Sequence, residues 1–419
     1  MNQPRFTRRP FLRAAFLAGA GLVGLPRRGR AADDTKFPPV RTITKGPRHH
    51  WFGYYDKLEF DPTGRYVLGM EVDFEHRSPR PEDTIAVGMV DLSDGDRWIE
   101  LGQSSAWCWQ QGCMLQWLPG SHTKIVWNDR EGSDYVCRIL DVDTGEKRTI
   151  GHPVYALSSD GRTAIAPDFR RLADLRPGYG YVGIPDPYAA QRTPKETGIF
   201  KIDLETGRQE LLFSIAEVAA VGKPLPSTEG AKHWFNHLLF NQDGSRFVFL
   251  HRWQAGRSRE TRMLTAAPDG SDLRLVDGNG LTSHFIWRDP HHILAFSNQP
   301  SHGKRFYLFE DGGQRQIDVV GPNVMTADGH CTYLPGDQWI LNDTYPNRKR
   351  QQTPYLYHVK SGAVVPLGHF VSPAEYTGEW RCDTHPRFSP DGTSVVIDSP
   401  DGSAGRQLQL IDISAIVAG

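Results

Sequence analysis

Cysteine is scarce in this chain: Cys108, Cys113, Cys137, Cys331 and Cys382 are the five among 419 residues. So sparse and odd a set is no disulfide framework, and it leaves at least one thiol free or bound to metal. An excess of one charge is missing too, since 48 Lys and Arg meet 49 Asp and Glu for a net charge of −1. With no basic stripe either, nucleic acid is excluded as a partner class. The apolar run Ala14–Leu25 is too short to span a bilayer comfortably. The sequence also lacks a Gly-Xaa-Ser-Xaa-Gly elbow, a phosphate-cradling loop and a dinucleotide fingerprint, which disfavours a serine hydrolase or a nucleotide enzyme.

What the chain has in quantity is turn formers, 42 Gly and 30 Pro, with a hydrophobic content of 38%. That composition suits many short strands joined by tight turns. The turns recur in order. Strand, Asp/Pro/Gly turn, strand, loop and strand open at Phe60 and return from Met114, Val154, Leu238, Phe285, Thr332 and Pro386. Seven such units, spaced mostly by roughly forty to sixty residues, predict an all-β fold, a seven-bladed β-propeller of mostly four-stranded antiparallel blades. The last unit shows three obvious strands, so Val40–Thr44 is expected to supply its fourth and close the ring, covering an exposed edge. Two insertions, Phe169–Glu196 and Ile215–Lys232, are expected to build a site on one face.

Residues 1–32 read as an address rather than as structure. Thr7-Arg8-Arg9-Pro10-Phe11-Leu12 matches a twin-arginine export motif, and Arg27, Arg28 and Arg30 follow the apolar run. The expected mature protein is residues 33–419, a propeller that is periplasmic or secreted and keeps no membrane anchor after processing.

The residues that carry chemistry are a histidine series in register with the repeats. His237, His284, His330 and His385 each lie just ahead of the apolar strand and turn of one unit. In a propeller these positions meet at the central channel. Cys331 follows His330, and Cys382 stands three residues before His385. A divalent metal is therefore expected, zinc if thiolates join the imidazoles or manganese if oxygen ligands do. Tyr155 begins the inner strand of the third unit and Arg171 follows its second strand, so the two are expected side by side. There the arginine would hold a carboxylate and lower the phenol's pKa for proton exchange. Trp and Tyr are frequent, as in carbohydrate grooves, and Asp56, Asp168 and Asp383 offer carboxylates for a glycosidase pair.

These motifs resemble the β-propeller polysaccharide lyases, namely oligogalacturonate lyase and the propeller ulvan lyases. The resemblance is sharpest in Ser283-His284-Phe-Ile-Trp, Gly329-His330-Cys331, Asn342-Asp-Thr-Tyr-Pro and Asp383-Thr-His385-Pro-Arg-Phe-Ser-Pro-Asp-Gly. It implies a uronate-containing oligosaccharide as substrate, cleaved by β-elimination at a divalent-metal site. His284, His330, Cys331, Cys382 and His385 are then the candidate ligands. His251 is the position similar to the catalytic histidine of oligogalacturonate lyase, and Tyr155 and Arg171 match the tyrosine and arginine of the ulvan lyases. The expected catalytic group is thus Tyr155, Arg171, His251 and His237, with Tyr155 or His251 as base. The pattern departs from the ulvan lyases in the second unit, where Gln110, Gln111 and Asn128 stand in the region of a histidine pair. A binding propeller of the TolB kind and a glycoside hydrolase are the competing expectations.

Overall fold

A computed structural model describes residues 37–222, 230–255, 258–313, 316–402 and 404–418. The twin-arginine segment lies outside the described residues, as does part of the second insertion. Seven four-stranded antiparallel sheets form the blades of a propeller, as the repeat spacing predicts. Blade 4, for example, runs Lys232–Phe240, Phe247–Ala255, Ser258–Ala266 and Arg274–Asp277. Blade 7 is built from both ends of the described chain. Its inner strand is Arg387–Phe388, followed by Ser394–Ser399 and Gln407–Asp412, and Val40–Thr42 pairs antiparallel to the last of these as the outermost strand. The N-terminal strand therefore closes the ring, in the way the three-stranded pattern of the last unit requires.

Alternation along the strands buries one set of side chains between neighbouring blades. Val248, Leu250 and Met263 of blade 4 pack on Phe285, Ile293 and Ala295 of blade 5, and Leu341 and Leu356 of blade 6 on Val395, Ile397 and Ile411 of blade 7. Each of the larger of these side chains, Val, Leu, Ile, Met or Phe, contributes ~1.5–3 kcal/mol when fully buried. Among the described residues, no helix is long and apolar enough to cross a membrane.

Blade 1 departs from the repeat in a way that matters for the channel. Its inner strand is interrupted: His49–Trp51 pair with Met70–Val72, and pairing resumes only at Phe60, opposite Val67. Between them the chain makes an excursion over Phe52–Glu59, whose end is tied back to the ladder by the Leu68 N–H, which bonds the Glu59 carbonyl at 3.0 Å. Asp398 holds the start of this excursion by accepting hydrogen bonds from the backbone N–H groups of Phe52 and Gly53 at 3.1 and 3.0 Å. Buried Tyr54, Tyr55 and Lys57 thereby reach the propeller axis.

Candidate active site at the channel mouth

The four histidines of the series converge, and bulges are what aim two of them. In the inner strand of blade 4, Asn236 pairs with Leu250 and Leu238 with Phe249, leaving His237 unpaired at φ 54°. In blade 5 the register shifts between Thr282 and Phe285, across His284. An extra residue re-aims a side chain off the sheet, which is how both rings reach the channel. Both histidines thus sit inside longer inner strands rather than ahead of them. His330 and His385 do precede their strands, and His385 is held at φ 38°, in the left-handed region that an unconstrained histidine avoids. The rings form a row, with centroids 6.4 Å apart from His237 to His284, 4.3 Å from His284 to His330 and 4.2 Å from His330 to His385.

Their partners give the four rings different chemistry. His237 lies within 3.3 Å of both the Tyr55 hydroxyl and the Asp56 carboxylate, within 3.5 Å of the Tyr54 hydroxyl, and stacks on Phe285. Burial pulls its pKa down to about 4. Asp56 is also paired with the Lys57 ammonium at 2.8 Å. Burial raises its pKa, but Lys57 and His237 overcome this and bring it to about 2. This enclosed group forms a floor.

His284 is different. Its Nδ1 meets Asp328 at 2.9 Å, and burial holds its pKa below the ordinary histidine value against the pull of that carboxylate. A neutral imidazole with Nδ1–H donated to a carboxylate keeps a lone pair on Nε2, the arrangement of an oriented general base.

His330 and His385 carry the metal-binding character. The Nε2 atoms of both are buried with no hydrogen-bond partner, a costly state unless a ligand takes the lone pairs. His330 Nδ1 is 3.0 Å from each Asp343 oxygen, the second-shell contact typical of a ligating histidine. Asp383 completes the group: one donor atom from each of His330, Asp383 and His385 lies within 4.8 Å of the others. Gly329 makes room for this, since a Cβ there would stand 2.2 Å from the Asp343 carbonyl oxygen. The cysteines stay out of the triad. Cys331 packs with Phe296 and Phe306 in the blade core, and burial pushes both the Cys331 and Cys382 thiols up, keeping them protonated. Asp383 was legible only as a free carboxylate, because a ligand two residues from His385 on an irregular segment carries no periodic signal.

Above this row lies a cluster of guanidinium groups. Arg252, Arg176, Arg259 and Arg381 act on a common set of tyrosines; burial together with repulsion from Arg176 lowers the pKa of Arg252, and partial burial with repulsion from Arg176, Arg252 and Arg381 brings that of the more exposed Arg259 down to about 10. The Arg252 Nε is buried without a hydrogen-bond partner. Arg381 bonds Asp383 at 2.7 Å and the Tyr179 hydroxyl at 2.7 Å. More cations than carboxylates gather here, which makes a site for an anion. Arg176 and Tyr179 come from the first insertion, the loop expected to build a site.

Three expected catalytic residues are placed otherwise. Arg171 does not follow a strand but sits on the helix Phe169–Leu175, whose N-terminus is capped by Asp168. It is 1% exposed, and its guanidinium binds Asp186 and the carbonyls of Tyr188, Gln191, Arg192 and His233, pinning the insertion rather than meeting Tyr155. The Tyr155 hydroxyl accepts from Gln111 at 2.7 Å, and burial pushes its pKa well up rather than down. His251 is fully buried, with Nδ1 facing Arg262 at 3.0 Å and Nε2 facing His233 Nδ1 at 2.8 Å, so both nitrogens are engaged. Its neighbour Arg252 points to the opposite side of the strand, into the site. Of the carboxylates expected for a glycosidase pair, Asp168 bonds Arg170, Asp56 bonds Lys57 and Asp383 bonds Arg381.

No protein-family model and no curated protein matches the sequence. The fold does match solved structures. An oligogalacturonate lyase from Vibrio parahaemolyticus is 15% identical, with a TM-score of 0.63 over 91% of this chain and 94% of that one. An oligogalacturonate lyase in complex with manganese is 16% identical, with a TM-score of 0.66 over 91% and 95%. At such identities the likeness establishes the seven-bladed propeller fold across nearly the full length of both partners.

Proposed function

We propose that this protein is an exported lyase that cleaves uronate-containing oligosaccharides by β-elimination, with the reaction centred on His284. The observation that carries the reading is the meeting of a neutral, carboxylate-oriented histidine with the His330, Asp383 and His385 triad and four arginines. A hydrolase pair of free carboxylates is not what that arrangement offers, and a binding module has no use for it. The fold likeness to oligogalacturonate lyases supports the reading without deciding the substrate.

Arg252 and its neighbours bind the uronate carboxylate and spread the charge that develops on it as the α-carbon loses its proton. His284 Nε2 takes that proton from C5, and Asp328 stabilises the imidazolium that results. The C5–H electrons form the C4–C5 double bond as the bond to O4 breaks. His330, Asp383 and His385 would hold a divalent metal, and their donor set of two imidazoles and one carboxylate suits either manganese or zinc. Such an ion supplies further neutralisation of the carboxylate when bound. Tyr54, Tyr55, Asp56, Lys57 and His237 form the floor beneath the row. The twin-arginine motif in residues 1–32 supports export from the cytoplasm, with no membrane anchor kept after processing.

The test is the ultraviolet absorbance of an unsaturated uronate, followed on metal-loaded mature protein with a panel of uronate oligomers and polymers. A rise that falls by about a hundredfold or more in His284→Gln is expected. No rise on any member of the panel overturns the proposal.

A further inference from the structure

An elimination that breaks a bond to an alkoxide needs a proton donor at the leaving oxygen, and His284, deprotonated and waiting for C5–H, cannot be that donor at the same moment. This inference rests on the lyase reading. We propose that Tyr179 is the general acid, giving its hydroxyl proton to O4 as the C4–O4 bond breaks.

Placement comes first. Tyr179 stands between Gly178 and Gly180 in the insertion. A Cβ at Gly180 would lie 2.2 Å from the Ala173 backbone nitrogen, so the loop sits tightly on the helix Phe169–Leu175. Gly178, at φ 90°, bonds through its carbonyl to the Gln110 N–H at 3.2 Å. The phenol is thereby fixed rather than carried on a swinging loop. Its Oη accepts from Arg381 Nη2 at 2.7 Å, and Arg381 in turn bonds Asp383 of the triad. The Arg176 guanidinium lies 4.6 Å above the ring centroid. Because Oη accepts from Arg381, its own proton points elsewhere, and it has no acceptor among the described residues.

The electrostatics agree. Burial raises the pKa of Tyr54, Tyr55 and Tyr155 around the same site. Tyr179 is equally enclosed, but Arg381 and Arg176 outweigh burial and the opposing Asp383, and its pKa moves down. Tyr54, Tyr345, Arg252 and Arg259 also act on it. The phenolate left after proton transfer is the form those guanidinium groups favour. The electron balance is complete without a co-reactant: the C5–H pair becomes the C4–C5 double bond, the C4–O4 pair stays on O4, O4 gains the Tyr179 proton, and His284 holds the proton from C5. Exchange with water resets both groups.

The experiment compares Tyr179→Phe with the metal-loaded wild type on two substrates, a uronate oligosaccharide and a uronate bearing 4-nitrophenoxide at C4, a leaving group that departs without a proton. A loss of about a hundredfold in kcat on the oligosaccharide, with near wild-type turnover of the nitrophenoxide substrate, is the expected result. His284→Gln serves as the control and loses both. Equal loss on the two substrates, or no loss on either, with wild type active, overturns the assignment and leaves the lyase reading standing. Wild type inactive on both overturns the lyase reading and this inference with it.

Discussion

His251 and Arg252 show how much one residue of register decides. The sequence draws attention to the histidine, yet along a strand successive side chains face opposite ways, and Arg252 is the one turned to the site. Arg171 teaches the same lesson through hydrogen bonding. Four of its five acceptors belong to the insertion and the fifth, His233, to the inner strand of blade 4; four of the five are backbone carbonyls, and no motif announces a carbonyl acceptor. Arg171→Ala would leave Asp186 buried and unpaired, so thermal or denaturant unfolding is expected to show a loss of ~3–5 kcal/mol. The ligand set gives a second prediction at this scale. Metal analysis should find about one divalent ion per chain in the wild type and in Cys382→Ser, and a substoichiometric amount in His385→Ala and Asp383→Asn. Retention in those two variants with loss in Cys382→Ser would restore a thiolate site.

At the scale of elements, the repeat pattern carried the histidines because each lies at a fixed offset from an apolar strand and a turn. The bulges at His237 and His284 were not legible, since a one-residue insertion leaves the apolar pattern nearly unchanged. Nor was the Phe52–Glu59 excursion, whose aromatic residues look like any others ahead of a strand. Its depth in the channel depends on Asp398, some 345 residues away in sequence. The loop carrying His330 depends on a close approach instead. In Gly329→Ala the new methyl would meet the Asp343 carbonyl and the Asn342 side chain, so His330 must move. Metal binding is expected to weaken at least tenfold while the blade stays folded, as titration with manganese or zinc and circular dichroism would show.

The whole molecule is a ring, and its closure was legible because the last unit lacked a strand. Removal of the chain through Thr42 would leave Gln407–Asp412 as a bare edge. Such a truncation is expected to unfold at lower temperature and to associate, by calorimetry and light scattering. The channel itself adds a pH dependence. Arg387 lies between Glu59 and Asp398, and Asp398 also receives two backbone N–H groups, so Glu59 is the less compensated carboxylate. Burial, partly offset by Arg387, raises its pKa from 4.5 to about 7. The folded state then holds this proton more tightly than the unfolded chain, so the associated stability is complete below pH 4.5 and is lost as pH rises to about 7. The stability of wild type relative to Glu59→Gln should fall over that window and level off above it; a constant difference would place Glu59 at its ordinary value.

The central claim is elimination rather than hydrolysis at this channel mouth, and the most direct measurement is to run the reaction in heavy-oxygen water and weigh the products. Elimination yields two fragments whose masses sum to that of the substrate, one with a C4–C5 double bond and neither carrying heavy oxygen from bond cleavage. Fragments that together gain one water, with heavy oxygen at the new end, would contradict it.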